Sequence, residues 1–182
     1  MATKNNAISH TLWLKSVIGK DLTDGEAREL LMISRREKFT KGDHLFDEGD
    51  DPVAFFLLAE GSVDITKKSG GHTTTLATLS AGSVVGEMSL LTKEKRSAGA
   101  VVTTATAIAL RVSWKEFEDL LGQNPPVAFK LMYALARLVA SRLRNINARL
   151  AEMHERNQHN APHEQIEEFQ SFKKKLFSDW SF

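Results

Sequence analysis

Two residues of opposite charge, Glu87 and Arg96, stand nine positions apart in the stretch GEMSLLTKEKRSAGAVV, residues 86–102, with Gly86 immediately ahead of the first. A glycine at that place lets the main chain come close to a ligand. A helical turn starting after it presents unpaired amides, here those of Glu87, Met88 and Ser89, and the positive end of a dipole, both of which favour an anion. Arg96, returning from the loop Thr92–Lys95, can fork two hydrogen bonds onto phosphate oxygens, each worth about 1.5–3 kcal/mol. A carboxylate repels phosphate, so Glu87 fits beside it only by facing a hydroxyl on the same ligand, such as a ribose 2′-OH. Reading charge with an arginine and sugar with a glutamate is what recognition of a cyclic nucleotide requires. The competing reading is an ion pair in an empty pocket, worth roughly 0–1 kcal/mol if exposed.

Other chemistry-bearing groups lead nowhere comparable. His154, His159 and His163 lack a carboxylate partner at fixed spacing and read as solvated histidines, and Lys173, Lys174 and Lys175 read as a solvated helix face. No P-loop, nucleophile-elbow or HExxH pattern occurs, so no enzyme, no metal site and no cofactor are expected. The absence of cysteine removes disulfides, thiolate catalysis and thiolate metal sites. A net charge of +1 over 182 residues leaves no broad electrostatic footprint for nucleic acid. The N-terminus, MATKNNAISHTLWLKSVIG, is too polar for a secretory signal, and no run approaches the roughly 20 apolar residues of a membrane span. A soluble, cytoplasmic protein is expected.

The elements that must position Glu87 and Arg96 are short strands between helices. Residues 1–10 have no pattern, and Leu12, Trp13, Leu14, Val17 and Ile18 suggest a short amphipathic helix. Thr23-Asp24-Gly25-Glu26 is a capping box opening a helix from Asp24 to about Arg35. From Phe39 the texture turns to strands separated by Gly42, Gly49, Gly61, Gly70, Gly71 and Gly82: the buried run Phe55–Leu58, the alternating Ser62–Thr66, then His72–Leu79 and Gly99–Val112. That spacing indicates a sandwich or barrel. Helical texture returns from Trp114 to about Leu121, and Asn124 with Pro125 starts a long helix to about Glu155, roughly 45 Å at ~1.5 Å per residue.

That helix carries two apolar stripes. Ala128, Leu131, Leu135 and Leu138 occupy its first half and are expected to pack on the β-domain. Met132, Ala136, Val139, Leu143, Ile146, Leu150 and Met153 alternate by four and three, the spacing of a coiled-coil seam, and are expected to meet a second copy in a homodimer. After a polar hinge, Glu164 to Phe177 reads as a last amphipathic segment, followed by an aromatic end with Trp180 and Phe182. The expected organisation is 1–126 for the N-terminal helices and β-roll, 127–155 for the dimerisation helix, and 156–182 for the hinge and tail.

The run G-E-x-x-L followed by R-S-A resembles the phosphate-binding cassette of the cyclic nucleotide-binding domain family, which includes the catabolite activator protein and protein kinase A regulatory subunits. The upstream stretch GDHLFDEGDDPVAFFLLAEGSVDIT is similar to that family's glycine-rich first half. The resemblance spans about Leu12 to Asn147. It implies a mainly β fold with flanking helices: an eight-stranded β-roll (a double-stranded β-helix, jelly-roll-like) followed by a long C-terminal helix. It implies that Gly86 and Glu87 meet the ribose, that Arg96 and Ser97 meet the cyclic phosphate with the amides of Met88 and Ser89, and that Leu76, Leu79 and Val85 wall the base. Ser141, Arg142 and Asn145 would cover it from the long helix. Lys95 stands where many ligand-binding members carry proline, and Gly99 where the family prefers a branched residue. Ser97 occurs in binders of either purine and so does not choose between cAMP and cGMP; cAMP is the ligand expected, with cGMP open.

The function expected from this is a cyclic-nucleotide sensor, without a DNA-binding domain, that signals through its long helix to a partner protein. The alternative is a ligand-free interaction scaffold on the same fold. A DNA-binding regulator is disfavoured, because about 27 residues follow Glu155 where a helix-turn-helix domain needs on the order of 60.

Overall fold

The computed structural model describes the backbone of residues 10–123 and 125–158, and side chains as far as residue 152. Of residues 1–10, expected to have no pattern, only His10 is described, and it is helical and buried; the rest of that stretch, Asn124 as a helix cap, and the tail beyond Gln158 lie outside the described residues. The chain divides into two compact units, Met1–Val139 and Ala140–Phe182, each described by itself.

The first unit opens with helix α1, residues 10–15, which buries Trp13 completely. Helix α2, Asp24–Met32, starts at the expected capping box: Thr23 Oγ1 accepts the Glu26 amide at 3.3 Å, and the Glu26 carboxylate accepts the Thr23 amide at 2.7 Å. It ends three residues sooner than its sequence suggests. Ser34 and Arg35, expected in the helix, pair instead with Val112 and Arg111 in strand β1, Ser34–Thr40. Tertiary pairing overrides the local helical pattern there.

Seven more strands follow: β2 His44–Phe46, β3 Ala54–Glu60, β4 Ser62–Ser69, β5 His72–Ser80, β6 Val84–Val85, β7 Gly99–Val102 and β8 Thr106–Ser113. The single run expected over Gly99–Val112 is thus two strands, broken at residues 103–105. All pairings are antiparallel, in two four-stranded sheets ordered β1-β8-β3-β6 and β2-β7-β4-β5. The architecture is the expected eight-stranded, mainly β roll with flanking helices. Gly61 makes the β3–β4 turn at φ +81°, and a Cβ there would lie 2.5 Å from the Thr106 carbonyl oxygen. Only glycine meets both conditions.

Two apolar layers hold the unit together, and β3 explains why there are two. Its run Ala54-Phe55-Phe56-Leu57-Leu58 is buried throughout, because a strand covered on both faces needs no polar alternation. Phe55 and Leu57 face the helices and pack with Trp13, Leu30, Phe117, Leu131 and Leu135. Ala54, Phe56 and Leu58 face the roll interior with Val63, Val85, Ala100, Val102, Ala107 and Ala109. Each fully buried Leu or Phe contributes about 1.5–3 kcal/mol.

Helix α4, Trp114–Gly122, is capped by a box that the sequence reading passed over: Ser113 and Glu116 exchange side-chain and amide bonds. Helix α5, Pro126–Gln158, begins at the second proline of the pair, not the first, and runs three residues past Glu155. Its first stripe does pack on the β-domain, with Ala128, Leu131 and Leu135 fully buried and Leu138 partly so. That packed half of the helix lies within the first compact unit, which runs to Val139. In the second unit Leu143 and Ile146 are exposed, at 41% and 55%.

Candidate functional site

Gly86 ends β6 and caps helix α3, Glu87–Thr92, in the left-handed conformation, φ 83° and ψ 14°. That geometry swings the chain from strand to helix within one residue. The helix closes at Lys93, also left-handed at φ 59°, whose amide donates to the Ser89 carbonyl at 3.0 Å. Glu87 is 1% exposed and Arg96 3% exposed. Burying a charge is costly unless it is paired and hydrogen-bonded, so two such residues on one loop mark a built site.

Arg96 is held from four directions. Its Nη1 donates to the Gly86 carbonyl at 2.8 Å, and its Nη2 donates to the Ala54 carbonyl, 42 residues away in sequence. The guanidinium carbon lies 4.1 Å from the centroid of the Phe46 ring, a cation–π contact. On the main chain, its amide donates to the Asp50 carbonyl at 2.8 Å and its carbonyl accepts the Gly49 amide at 2.9 Å. The buried Nε–H has no hydrogen-bond partner among the described residues. Burial pulls the guanidinium below its ordinary pKa, and the nearby carboxylates of Asp50 and Glu87 oppose that. Glu87 and Arg96 are therefore electrostatic neighbours across Gly86, as the nine-residue spacing implies.

The fork of Arg96 is partly engaged: two of its five N–H donors bond main-chain carbonyls. A buried cation needs acceptors, and the turn at Gly86 and the start of β3 supply them.

The other expected residues divide. Met88 is 48% exposed, and Ser89 is buried with its Oγ 3.5 Å from the Lys95 carbonyl. Ser97 is exposed, and its carbonyl accepts a bond from Lys67 Nζ at 2.9 Å. Val85 and Leu79 share the roll interior. Leu76 does not join them: it is 52% exposed, at the register shift where β5 skips a residue opposite Ile65 and Thr66. That bulge turns it off the inner face. Ser141, Arg142 and Asn145 lie on α5 in the second unit. Gly99 is buried, and a Cβ on it would meet Thr66 Oγ1 at 3.0 Å, so close packing accounts for the small residue.

The residues not foreseen are Phe46, Asp50, and the Ala54 carbonyl. Phe46 and Asp50 lie inside the quoted glycine-rich stretch, so their region was flagged though their roles were not. Nothing local marks the Ala54 carbonyl, which the fold alone brings to Arg96.

Comparison with known proteins bears on this geometry. The family described as the cyclic nucleotide-binding domain matches residues 36–124. The chain is 36% identical over 121 residues to the Cyclic AMP receptor protein of Thermus thermophilus, covering 66% of this chain and 54% of the relative. It is 36% identical over 129 residues to Glutaminase 1 of Bradyrhizobium diazoefficiens, covering 71% of this chain and 20% of that protein. The chain thus spans about half of the one relative and a fifth of the other. Among solved structures, a cyclic nucleotide-binding domain from Methylobacillus flagellatus superposes with a TM-score of 0.72 at 25% identity, covering 82% of this chain and 84% of that one. No helix among the described residues is long and apolar enough to cross a membrane.

Proposed function

Residues 36–124 belong to the cyclic nucleotide-binding domain family, and from that premise we propose that this chain is a non-enzymatic receptor for a cyclic nucleotide, cAMP in preference to cGMP. The observation that carries the reading is the meeting of buried Glu87 and buried Arg96 at the left-handed Gly86. The preference for cAMP draws on the Thermus thermophilus relative, named as a cyclic AMP receptor. An anion docking at Gly86 engages Arg96 through its Nε–H, which has no partner among the described residues, or by exchanging a carbonyl bond for a charge-assisted one. Such an exchange moves the guanidinium against Phe46, Ala54 and Gly86, and so couples ligand to the β3 strand and to the helical layer behind it. The long helix α5 then carries the change to a partner protein in the cytoplasm. The seam Met132, Ala136, Val139, Leu143, Ile146 and Leu150 joins two copies, and the exposure of Leu143 and Ile146 supports that.

One observation favours a second reading. Arg96 is bonded to the protein's own carbonyls, as it would be in a scaffold that takes no ligand and only docks proteins. A thermal-shift screen separates the two. Ligand at 100 times its dissociation constant stabilises the folded state by about 2.7 kcal/mol. The receptor reading expects cAMP to raise the melting temperature and 5′-AMP to leave it unchanged. The scaffold reading expects no shift with any nucleotide.

A further inference from the structure

A ring of bonds runs beside the cassette, and its Glu48–Lys67 link has had no part in the site described so far. Glu48 lies in the loop between β2 and β3. One carboxylate oxygen accepts from Lys67 Nζ at 2.7 Å, and the other accepts the Lys68 main-chain amide at 2.8 Å. Lys67 Nζ donates a second bond, at 2.9 Å, to the Ser97 carbonyl. From Glu48 the chain leads directly to Gly49 and Asp50, which exchange main-chain bonds with Arg96 at 2.9 and 2.8 Å. The ring closes: β4 to Glu48, Glu48 to the 49–50 turn, that turn to Arg96, Ser97 back to Lys67.

An isolated surface ion pair contributes little. This one differs because both partners also bind main chain: Lys67 holds the Ser97 carbonyl next to Arg96, and Glu48, bonded to the Lys68 amide of β4, directly precedes the Gly49–Asp50 turn that bonds the Arg96 main chain. Resting on the receptor reading, we propose that Glu48 and Lys67 are positioning residues for the phosphate contact: they brace the Arg96–Ser97 turn from β4, so that the guanidinium reaches the ligand by side-chain rotation alone. Neither residue touches the ligand. A braced turn has less conformational freedom to lose on binding, and the affinity gained is of the preorganisation kind.

The test combines two measurements on Lys67→Met and on the milder, isosteric Glu48→Gln, which serves if the first fails to fold. Amide hydrogen exchange is followed without nucleotide, and cAMP affinity is measured by calorimetry. The brace predicts exchange about ten-fold faster at the Gly49 and Arg96 amides with the β1–β8 ladder unchanged, and an affinity loss of about ten-fold. A general loss of stability would speed both sets of amides alike, which would overturn the proposal. Unchanged exchange at Gly49 and Arg96 would overturn it too, as would faster exchange with parental affinity. A parent protein that binds neither cAMP nor cGMP sinks the receptor reading itself, and the positioning role falls with it.

Discussion

Gly86→Ala probes the site through two separable costs. Gly86 sits at φ +83°, and an alanine Cβ there would lie 2.6 Å from Arg96 Nη1 and 3.1 Å from Phe46 Cε1. The left-handed backbone costs an L-residue about 1–2 kcal/mol. The steric contact falls on the end of a long side chain, so Arg96 moves and gives up its 2.8 Å bond to the Gly86 carbonyl. A hydrogen bond to a charged group is worth about 1.5–3 kcal/mol. The expected total is about 2.5–5 kcal/mol, or a fall in melting temperature of roughly 8–15 °C at about 3 °C per kcal/mol. Gly42→Ala is the control: φ is +91° and nothing lies within 4 Å of the added Cβ, so it shows the backbone cost alone, about 1–2 kcal/mol. The difference between the two variants in thermal or urea unfolding is the cost of displacing Arg96. Equal losses would refute the reasoning, because they would mean that Arg96 does not lean on Gly86. In cAMP binding, Gly42→Ala should match the parent and Gly86→Ala should not.

Further predictions test the frame around the site. Ser113→Ala removes the α4 cap and should cost about 1 kcal/mol in unfolding free energy, within a range of roughly 0.5–2. Glu26 has its pKa lowered, first by its bond to Lys130 and then by the Thr23 amide; the folded state thus binds its proton less readily than the unfolded chain does. The stabilisation is present above the ordinary value of 4.5 and is lost as pH falls through the lower folded value. Glu26→Gln should therefore reduce the melting temperature at pH 7 and flatten its decline below that point. Ile146→Glu places a charge in the proposed seam and should shift sedimentation from dimer to monomer with cAMP affinity retained at high protein concentration; a parent that already sediments as a monomer would remove the seam from the account.

How far the sequence reveals this molecule depends on the range of each interaction. The cassette is legible because Gly86, Glu87 and Arg96 lie on one continuous loop, and the chemistry of each type narrows what the group can face. The Thr23–Glu26 box is legible for the same reason, and so is the first stripe of α5, whose period reports one buried face. The end of α2 was misplaced because Ser34 and Arg35 fit a helix locally, and only their pairing with β8 makes them strand. The family resemblance puts Leu76 on the wall of the base, and a bulge local to this chain's β5 leaves it exposed. The carbonyls that hold Arg96 could not be anticipated: main-chain acceptors carry no residue signature, and Ala54 reaches Arg96 only through the closure of the roll. The Glu48–Lys67 bond is equally silent, since a lysine in an exposed strand and a glutamate in an acidic loop are unremarkable until β4 brings them within 2.7 Å.

The central claim is that Arg96, opposite Glu87, takes the phosphate of a cyclic nucleotide. Isothermal titration of cAMP into the parent protein and into Arg96→Lys tests it most directly, since lysine keeps the charge but loses the planar fork. The account predicts saturable one-site binding by the parent and a loss of at least about ten-fold in the variant, equivalent to about 1.4 kcal/mol. Equal affinity in both proteins, or no heat with the parent, would contradict it.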